Sequence, residues 1–301
     1  MEKPIGRLIF MLLLLVFVVL TSCNNGGRSK FRAENNIDFD TIRTEERFYL
    51  EGDTRNPYCD IKVDFIYPVS SSEGDLQMLQ QLFVRSMFGY AFENFEPSAA
   101  VEAYVNNYVE NYSQDAGTYK ETVSDMKELN DMIPGMDIQD SEHIMSDTFY
   151  SYYESLSDSI TFNQYDVISY QVKQSNSKGE PNSYFVSYNN YAINLKSGSQ
   201  LTEADIFVTG YDNVLQGLII DSLMKQNDVE SIEELEDLGF FGIKEIVPNN
   251  NFLINDEGIT YTFNKGEYSA YQLNAPEVFI PFIAIKQLIR ENSIVGKLAN
   301  L

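Results

Sequence analysis

Few residue types in this chain of 301 residues could perform chemistry, because it contains one histidine and two cysteines. A hydrolytic triad needs an imidazole beside its nucleophile, and most zinc sites need several histidine or cysteine ligands. His143 lies in a polar stretch and is interpreted as a surface residue. Cys59 begins an alternating apolar run that directs its thiol into a core. We therefore expect no catalytic residue, no metal site and no cofactor.

Carboxylates are the one potentially catalytic group that is abundant, since the chain contains 45 Asp and Glu residues. A glycosidase needs only two of them across a cleft. The acidic residues are spread through turns, helix starts and outward strand positions, as on a solvated surface. No glycine-rich phosphate-binding motif is found. A carboxylate-based hydrolase of cell-wall glycan is thus the alternative to a binding role.

The amino terminus carries a targeting signal, in which Lys3 and Arg7 precede an unbroken apolar run from Leu8 to Leu20. Thirteen helical residues extend only about 20 Å, whereas the hydrocarbon layer is about 30 Å thick. The run therefore predicts a cleaved signal peptide over residues 1–22. The following Leu20-Thr21-Ser22-Cys23 resembles the lipobox of bacterial lipoproteins. This resemblance implies lipid attachment, including palmitate-type acyl chains, at Cys23 and a membrane-anchored protein of the cell envelope.

Removal of residues 1–22 leaves 19 basic and 44 acidic residues, a charge of −25. Such a chain repels nucleic acid and attracts basic partners over a long range. We therefore expect no nucleic-acid partner. The negative charge indicates either a basic protein partner or a role in solubility alone.

Length and element pattern predict an α+β fold with two domains, each mixing antiparallel strands with packed helices. A tether over residues 23–46 precedes an N-terminal domain at 47–146 and a C-terminal domain at 147–301. The stretch from 115 to 146 has no decided structure. Strands are expected at 59–67, 167–174, 184–195, 252–254, 259–263 and 277–280, and helices at 76–90, 97–112, 212–225 and 282–290.

The second half also carries a family resemblance, in Tyr191 to Gly198 followed by Leu201 to Phe207, then in Phe252 to Phe263, Tyr268 to Tyr271 and Val278 to Phe282. Together these segments resemble domain of unknown function 3298 (RsiV-like), a family that includes the extracellular part of a lysozyme-binding anti-sigma factor. Residues 57–112 resemble its companion, domain of unknown function 4163, which also occurs in secreted peptidoglycan deacetylases. The resemblance implies recognition, since neither a deacetylase domain nor a sigma-binding segment is recognised here.

The hairpin tip departs from the family pattern, because Lys178-Gly179-Glu180-Pro181-Asn182 stands where Gly-Gly-Ala-His is common. We therefore expect ligand contacts from tyrosines near the hairpin and the carboxy-terminal strands. Tyrosine combines a large contact area with a polar tip, which suits interfaces and sugar stacking. The candidate ligand-binding residues are Tyr184, Tyr188, Tyr268 and Tyr271.

The leading hypothesis is a non-enzymatic binding lipoprotein, anchored by lipid on Cys23 at the outer membrane, on either the periplasmic or the surface face. Its expected partner is a protein, basic and lysozyme-like, or cell-wall peptidoglycan.

Overall fold

A computed structural model describes residues 34–132, 149–179, 184–270 and 273–300. The predicted signal peptide, Cys23, His143 and the hairpin tip at 180–182 lie outside the described residues. Glu34–Leu301 forms one compact unit.

The larger sheet has six strands in sequence order, from β1 at one edge to β6 at the other. Neighbouring strands are antiparallel except β2 and β3, which are parallel. Together with the helices described below, this sheet confirms the predicted α+β class. The strands are β1 (Ile37–Tyr49), β2 (Tyr58–Ser71), β3 (Tyr152–Gln164), β4 (Val167–Lys178), β5 (Phe185–Asn194) and β6 (Ser199–Gln200).

Strand β1 corrects the predicted tether, which was expected to continue to residue 46, because the strand already begins at Ile37. Its many charged residues gave it the appearance of a linker, but an edge strand tolerates such charges because one side of it faces solvent. The predicted domain boundary at 146/147 also differs from the structure, since β2 and β3 pair directly across it. One sheet thus contains strands from both predicted domains.

Helices cover one face of this sheet. The first two were predicted: Asp75 caps α1 by accepting a hydrogen bond from the Met78 amide at 3.0 Å, and Pro97 opens α2. The third begins at Tyr119, in the stretch whose structure was undecided. The helices are α1 (Leu76–Phe88), α2 (Pro97–Asp115) and α3 (Tyr119–Met132).

The core beneath these helices is aromatic and apolar. Phe83 of α1 stacks on Tyr170 of β4 with ring centroids 4.3 Å apart, and Ile61, Val63 and Phe65 of β2 are fully buried against the helices. Cys59 is buried as predicted, and burial raises the pKa of its thiol to about 12.

Strand β2 was expected to end at Pro68, but it continues to Ser71. Proline lacks an amide proton, so it disrupts a strand that is paired on both sides. Here the pairing with β3 stops at Asp64, and the ladder to β1 shifts its register beside Pro68. Both features make room for the proline.

A second, three-stranded antiparallel sheet packs with short helices around its own apolar core. The predicted hairpin at 252–263 and the strand after it are confirmed, whereas the last predicted helix ends at Ile285 instead of Arg290. No helix among the described residues is long and apolar enough to span a membrane. The elements are α4 (Glu203–Ile206), α5 (Asp212–Gln226), α6 (Ile232–Asp237), β7 (Phe252–Ile254), β8 (Gly258–Thr262), β9 (Glu277–Pro281), α7 (Phe282–Ile285) and α8 (Ile294–Leu298).

Candidate binding groove

The sheet face opposite α1 and α2 contains a groove that crosses strands β1 to β5. Side chains alternate between the faces of a strand, so the residues between the buried positions of β2 point into it. Strands lie about 4.8 Å apart, so five of them span roughly 20 Å. The groove encloses about 750 Å³. It is lined by Glu45, Arg47, Asp60, Lys62, Tyr153, Ser155, Lys173, Ser175, Tyr184 and Val186, and also by Glu46, Ile61 and Glu154, whose side chains the strand register places on the helix side of the sheet.

Ion pairs between β1 and β2 form one end of the groove. Arg47 donates two hydrogen bonds to Asp60, at 2.6 and 2.7 Å, and this contact raises the pKa of Arg47. Lys62 pairs with Glu45 at 3.2 Å. Each pair joins residues that lie directly opposite in the strand register. The register therefore places donors and acceptors side by side on a solvent-exposed surface.

Four tyrosines form a chain of edge-to-face contacts on this face of the sheet, from Tyr49 through Tyr58 and Tyr153 to Tyr184, with centroid distances of 5.8, 5.8 and 6.5 Å. The last two line the groove. The hydroxyls of Tyr58 and Tyr153 are 2.8 Å apart, and the guanidinium of Arg47 lies 3.9 Å from the centroid of the Tyr58 ring. Tyr153 is buried, but Tyr184 is 46% exposed. The chain thus ends in a supported aromatic ring that faces solvent.

Two carboxylates whose pKa is raised by burial direct their side chains away from the groove. Glu154 accepts hydrogen bonds from Tyr104 of α2 and from Gln174, and burial raises its pKa. Asp158 accepts a hydrogen bond from the Ile66 amide at 2.7 Å, and burial raises its pKa to about 7. Glu154 points to the helix side of the sheet, and Asp158 does not line the groove.

Asparagines fill a second polar hollow of about 320 Å³ between the two sheets. Asn251 accepts a hydrogen bond from the Asn190 amide at 2.7 Å and donates to the carbonyls of Tyr188 and Thr262. Asn264 donates to the Tyr188 carbonyl and accepts from its amide. These side-chain amides already bond to protein groups, so we assign this asparagine seam to holding the sheets together.

The structure describes three of the four tyrosines proposed as ligand contacts and places them in different surroundings. Tyr184 lines the groove, and Tyr188 lies at its border with its ring 5.9 Å from the Lys173 ammonium. Tyr268 packs edge-to-face on Phe263 in the second core, at 5.5 Å. Tyr271 lies outside the described residues. Sequence reasoning did not select Arg47, Asp60 or Tyr153, although the polar alternation of β2 was visible.

Comparison with known proteins bears on residues 204–282, which match the family described as "Protein of unknown function (DUF3298)". The chain contains a DUF3298 domain. A solved member of the DUF3298 family from Bacteroides fragilis is similar with a TM-score of 0.75 and 25% identity, covering 90% of this chain and 100% of that one. A DUF3298 protein from Pseudomonas aeruginosa, at 12% identity and a TM-score of 0.53 over 85% of this chain and 96% of that one, shares the fold. No curated protein matches the chain.

The DUF3298 domain extends from α4 to the start of α7, so it contains β7, β8 and β9 but none of the residues that line the groove. It contributes Asn251, Thr262 and Asn264 to the asparagine seam. Within the described residues, no three His, Cys, Asp or Glu side chains are grouped as metal ligands.

Proposed function

We propose that this protein is a lipid-anchored binding protein of the cell envelope, attached to the outer membrane through Cys23, which holds its ligand in the groove without chemical turnover. The observation that carries the proposal is the groove itself. Its volume of about 750 Å³ falls in the range of ligand sites, roughly 300 to 1,000 Å³. It also combines fixed ion pairs with an exposed, supported tyrosine.

The alternative, a carboxylate-based hydrolase, would need two carboxylates facing each other across a cleft. In the groove, Asp60 and Glu45 are each engaged by a basic residue. The carboxylate of Glu154, whose pKa is raised by burial, is turned toward α2. This distribution supports binding over hydrolysis. The partner class that we propose is a basic, lysozyme-like protein or cell-wall glycan.

Binding without turnover is tested with the full chain, purified in mild detergent. The protein is incubated with peptidoglycan sacculi and, separately, with lysozyme and a panel of other basic proteins. We expect the protein to be retained by one of these ligands, and we expect no release of soluble glycan fragments. Time-dependent release of fragments would favour the hydrolase, and no retention on any of them would overturn the binding proposal.

Anchoring is tested by Cys23→Ala. We expect this variant to leave the membrane fraction or to accumulate as an uncleaved precursor, because the thiol that receives lipid is gone. Cys59→Ala is the matched control, since this other cysteine is buried in the fold. Unchanged processing and membrane fractionation of Cys23→Ala would contradict the lipoprotein assignment.

A further inference from the structure

The groove differs in charge from the rest of the molecule. The whole chain has 45 acidic and 21 basic residues, more than two acids for each base. Among the lining residues, the charged side chains that the strand register places on the groove face are two acids, Glu45 and Asp60, and three bases, Arg47, Lys62 and Lys173. Two of the bases, Arg47 and Lys62, are neutralised by Asp60 and Glu45. A ligand in this groove therefore meets a nearly balanced surface, which gives little attraction to a strongly charged partner.

In the groove, hydrogen-bond donors lie next to hydrogen-bond acceptors. The Arg47 and Asp60 side chains share two hydrogen bonds, and the hydroxyls of Ser155 and Ser175 belong to the lining. The two partners of a bidentate pair keep unused donor and acceptor positions that point away from each other. A ligand with many hydroxyls, each both donor and acceptor, matches such a surface.

The exposed ring of Tyr184 adds an apolar contact. Tyr153 contacts this ring edge-to-face at 6.5 Å. The contact restricts the orientation of Tyr184 before a ligand arrives, which lowers the entropic cost of binding. The faces of aromatic rings carry partial negative charge and attract C–H groups that carry partial positive charge. One face of a pyranose ring presents a set of such C–H groups.

We propose that the groove binds a segment of an uncharged polysaccharide, with one sugar ring stacked on Tyr184 and the hydroxyls of another sugar of the same segment bonded to the Arg47–Asp60 pair. This inference rests on the proposed binding function and names its ligand class. The elongated groove, roughly 20 Å across five strands, suits a chain of several sugars.

The test is calorimetric titration of the full chain in mild detergent with three uncharged probes: chitohexaose, cellohexaose and maltohexaose. At least one is expected to bind saturably, with less than about twofold change in affinity between low and high salt, because no net charge is exchanged. Tyr184→Ala should weaken that binding at least about tenfold. Tyr184→Phe should retain it within about threefold, because the ring face remains. Tyr90→Ala removes a tyrosine that is 76% exposed but does not line the groove, and it should change nothing.

The outcomes separate this inference from the proposed function. If no saccharide binds but lysozyme binds in a salt-sensitive manner, the protein is a binding module and the glycan assignment is wrong. If no saccharide binds and neither sacculi, lysozyme nor any other basic protein of the panel binds, both proposals are wrong. If a saccharide binds equally well to Tyr184→Ala and to the parent, the ligand class stands but the groove is not its site, and the inference is overturned.

Discussion

The two faces of the six-stranded sheet use alternate residues of the same strands for different purposes. On β2, Cys59, Ile61 and Val63 lie against the helices with at most 1% of their surface exposed, whereas the intervening Asp60 and Lys62 form ion pairs in the groove. Buried apolar area stabilises a fold at about 25 cal/mol per Å², but exposed ion pairs contribute at most about 1 kcal/mol. The helix-covered face therefore supplies the stability, and the groove can be devoted to a ligand.

The largest expected effect is on the helix-covered face. Phe83→Ala should lower the free energy of unfolding by about 3 to 5 kcal/mol, since it removes a fully buried ring stacked on Tyr170. Tyr184→Ala should cost less than about 1 kcal/mol, because that ring faces solvent. Urea unfolding of both variants measures the difference. Similar losses would contradict the division of roles between the two faces.

A pH-dependent effect is expected from Asp158. Burial raises the pKa of Asp158 to about 7 in the folded protein, whereas an unfolded aspartate titrates near pH 4. Between about pH 4 and pH 7 the Asp158 carboxyl is protonated in the folded protein but ionised in the unfolded chain. The free energy of unfolding therefore falls as the pH rises through that window. Asp158→Asn mimics the protonated form and can keep the hydrogen bond from the Ile66 amide.

The Asp158→Asn variant should therefore be more stable than the parent at pH 8, by up to about 4 kcal/mol, and the gain should shrink toward zero as the pH falls to about 4. Denaturant unfolding at several pH values measures it. A gain that is the same at both ends of the range would show that titration of Asp158 is not its cause.

An intermediate effect is expected at the asparagine seam. Asn251→Ala removes one accepted and two donated hydrogen bonds. It should cost about 1 to 3 kcal/mol because the Asn190 amide is left unpaired, whereas the Tyr188 and Thr262 carbonyls keep bonds from Asn264 and Asn249. Asn189→Ala is the matched control, because Asn189 is exposed. Thermal unfolding distinguishes them. A loss no greater than that of the control would refute the assignment of the seam to holding the sheets together.

The smallest effect is expected in the groove. Arg47→Ala should lower the free energy of unfolding by less than about 1 kcal/mol, because its pair with Asp60 remains accessible to solvent. Arg55→Ala, which breaks a bidentate pair within one loop, is its control in the same assay. A loss of several kcal/mol for Arg47→Ala alone would mean that the groove is a structural element.

The sequence predicted those elements whose side chains follow one simple period. The alternation from Cys59 to Tyr67 predicted β2, and helical stripes predicted α1, α2 and α5. Strand β3 was missed, because Glu154 interrupts its inward apolar pattern and its carboxylate is satisfied by Tyr104 and Gln174. A carboxylate at an inward-facing strand position argues against a strand unless hydrogen-bond donors for it are known. Tyr104 and Gln174, which donate to Glu154, are far from it in the sequence.

The groove was even less accessible to sequence reasoning. Tyr184 was selected for its residue type and its place near a hairpin. Its neighbour Tyr153 comes from β3, and Arg47 comes from a strand that was interpreted as tether. No rule of sequence spacing links residues that become neighbours only when separate strands pair in one sheet. The residues of the groove could therefore be identified only once the strand order was known.

The parallel pairing of β2 with β3 also affects how the chain folds. An antiparallel pair closes through a short turn, but residues 72–151 must cross over before Tyr152 can pair with Cys59. Closing so long a loop costs entropy before any contact compensates for it, and such topologies fold slowly. Until β3 arrives, the inner edge of β2 is unpaired in addition to the outer edge of β1, and misassembly can start there. During synthesis, this central pairing is therefore the step at which we expect a chaperone to protect the chain.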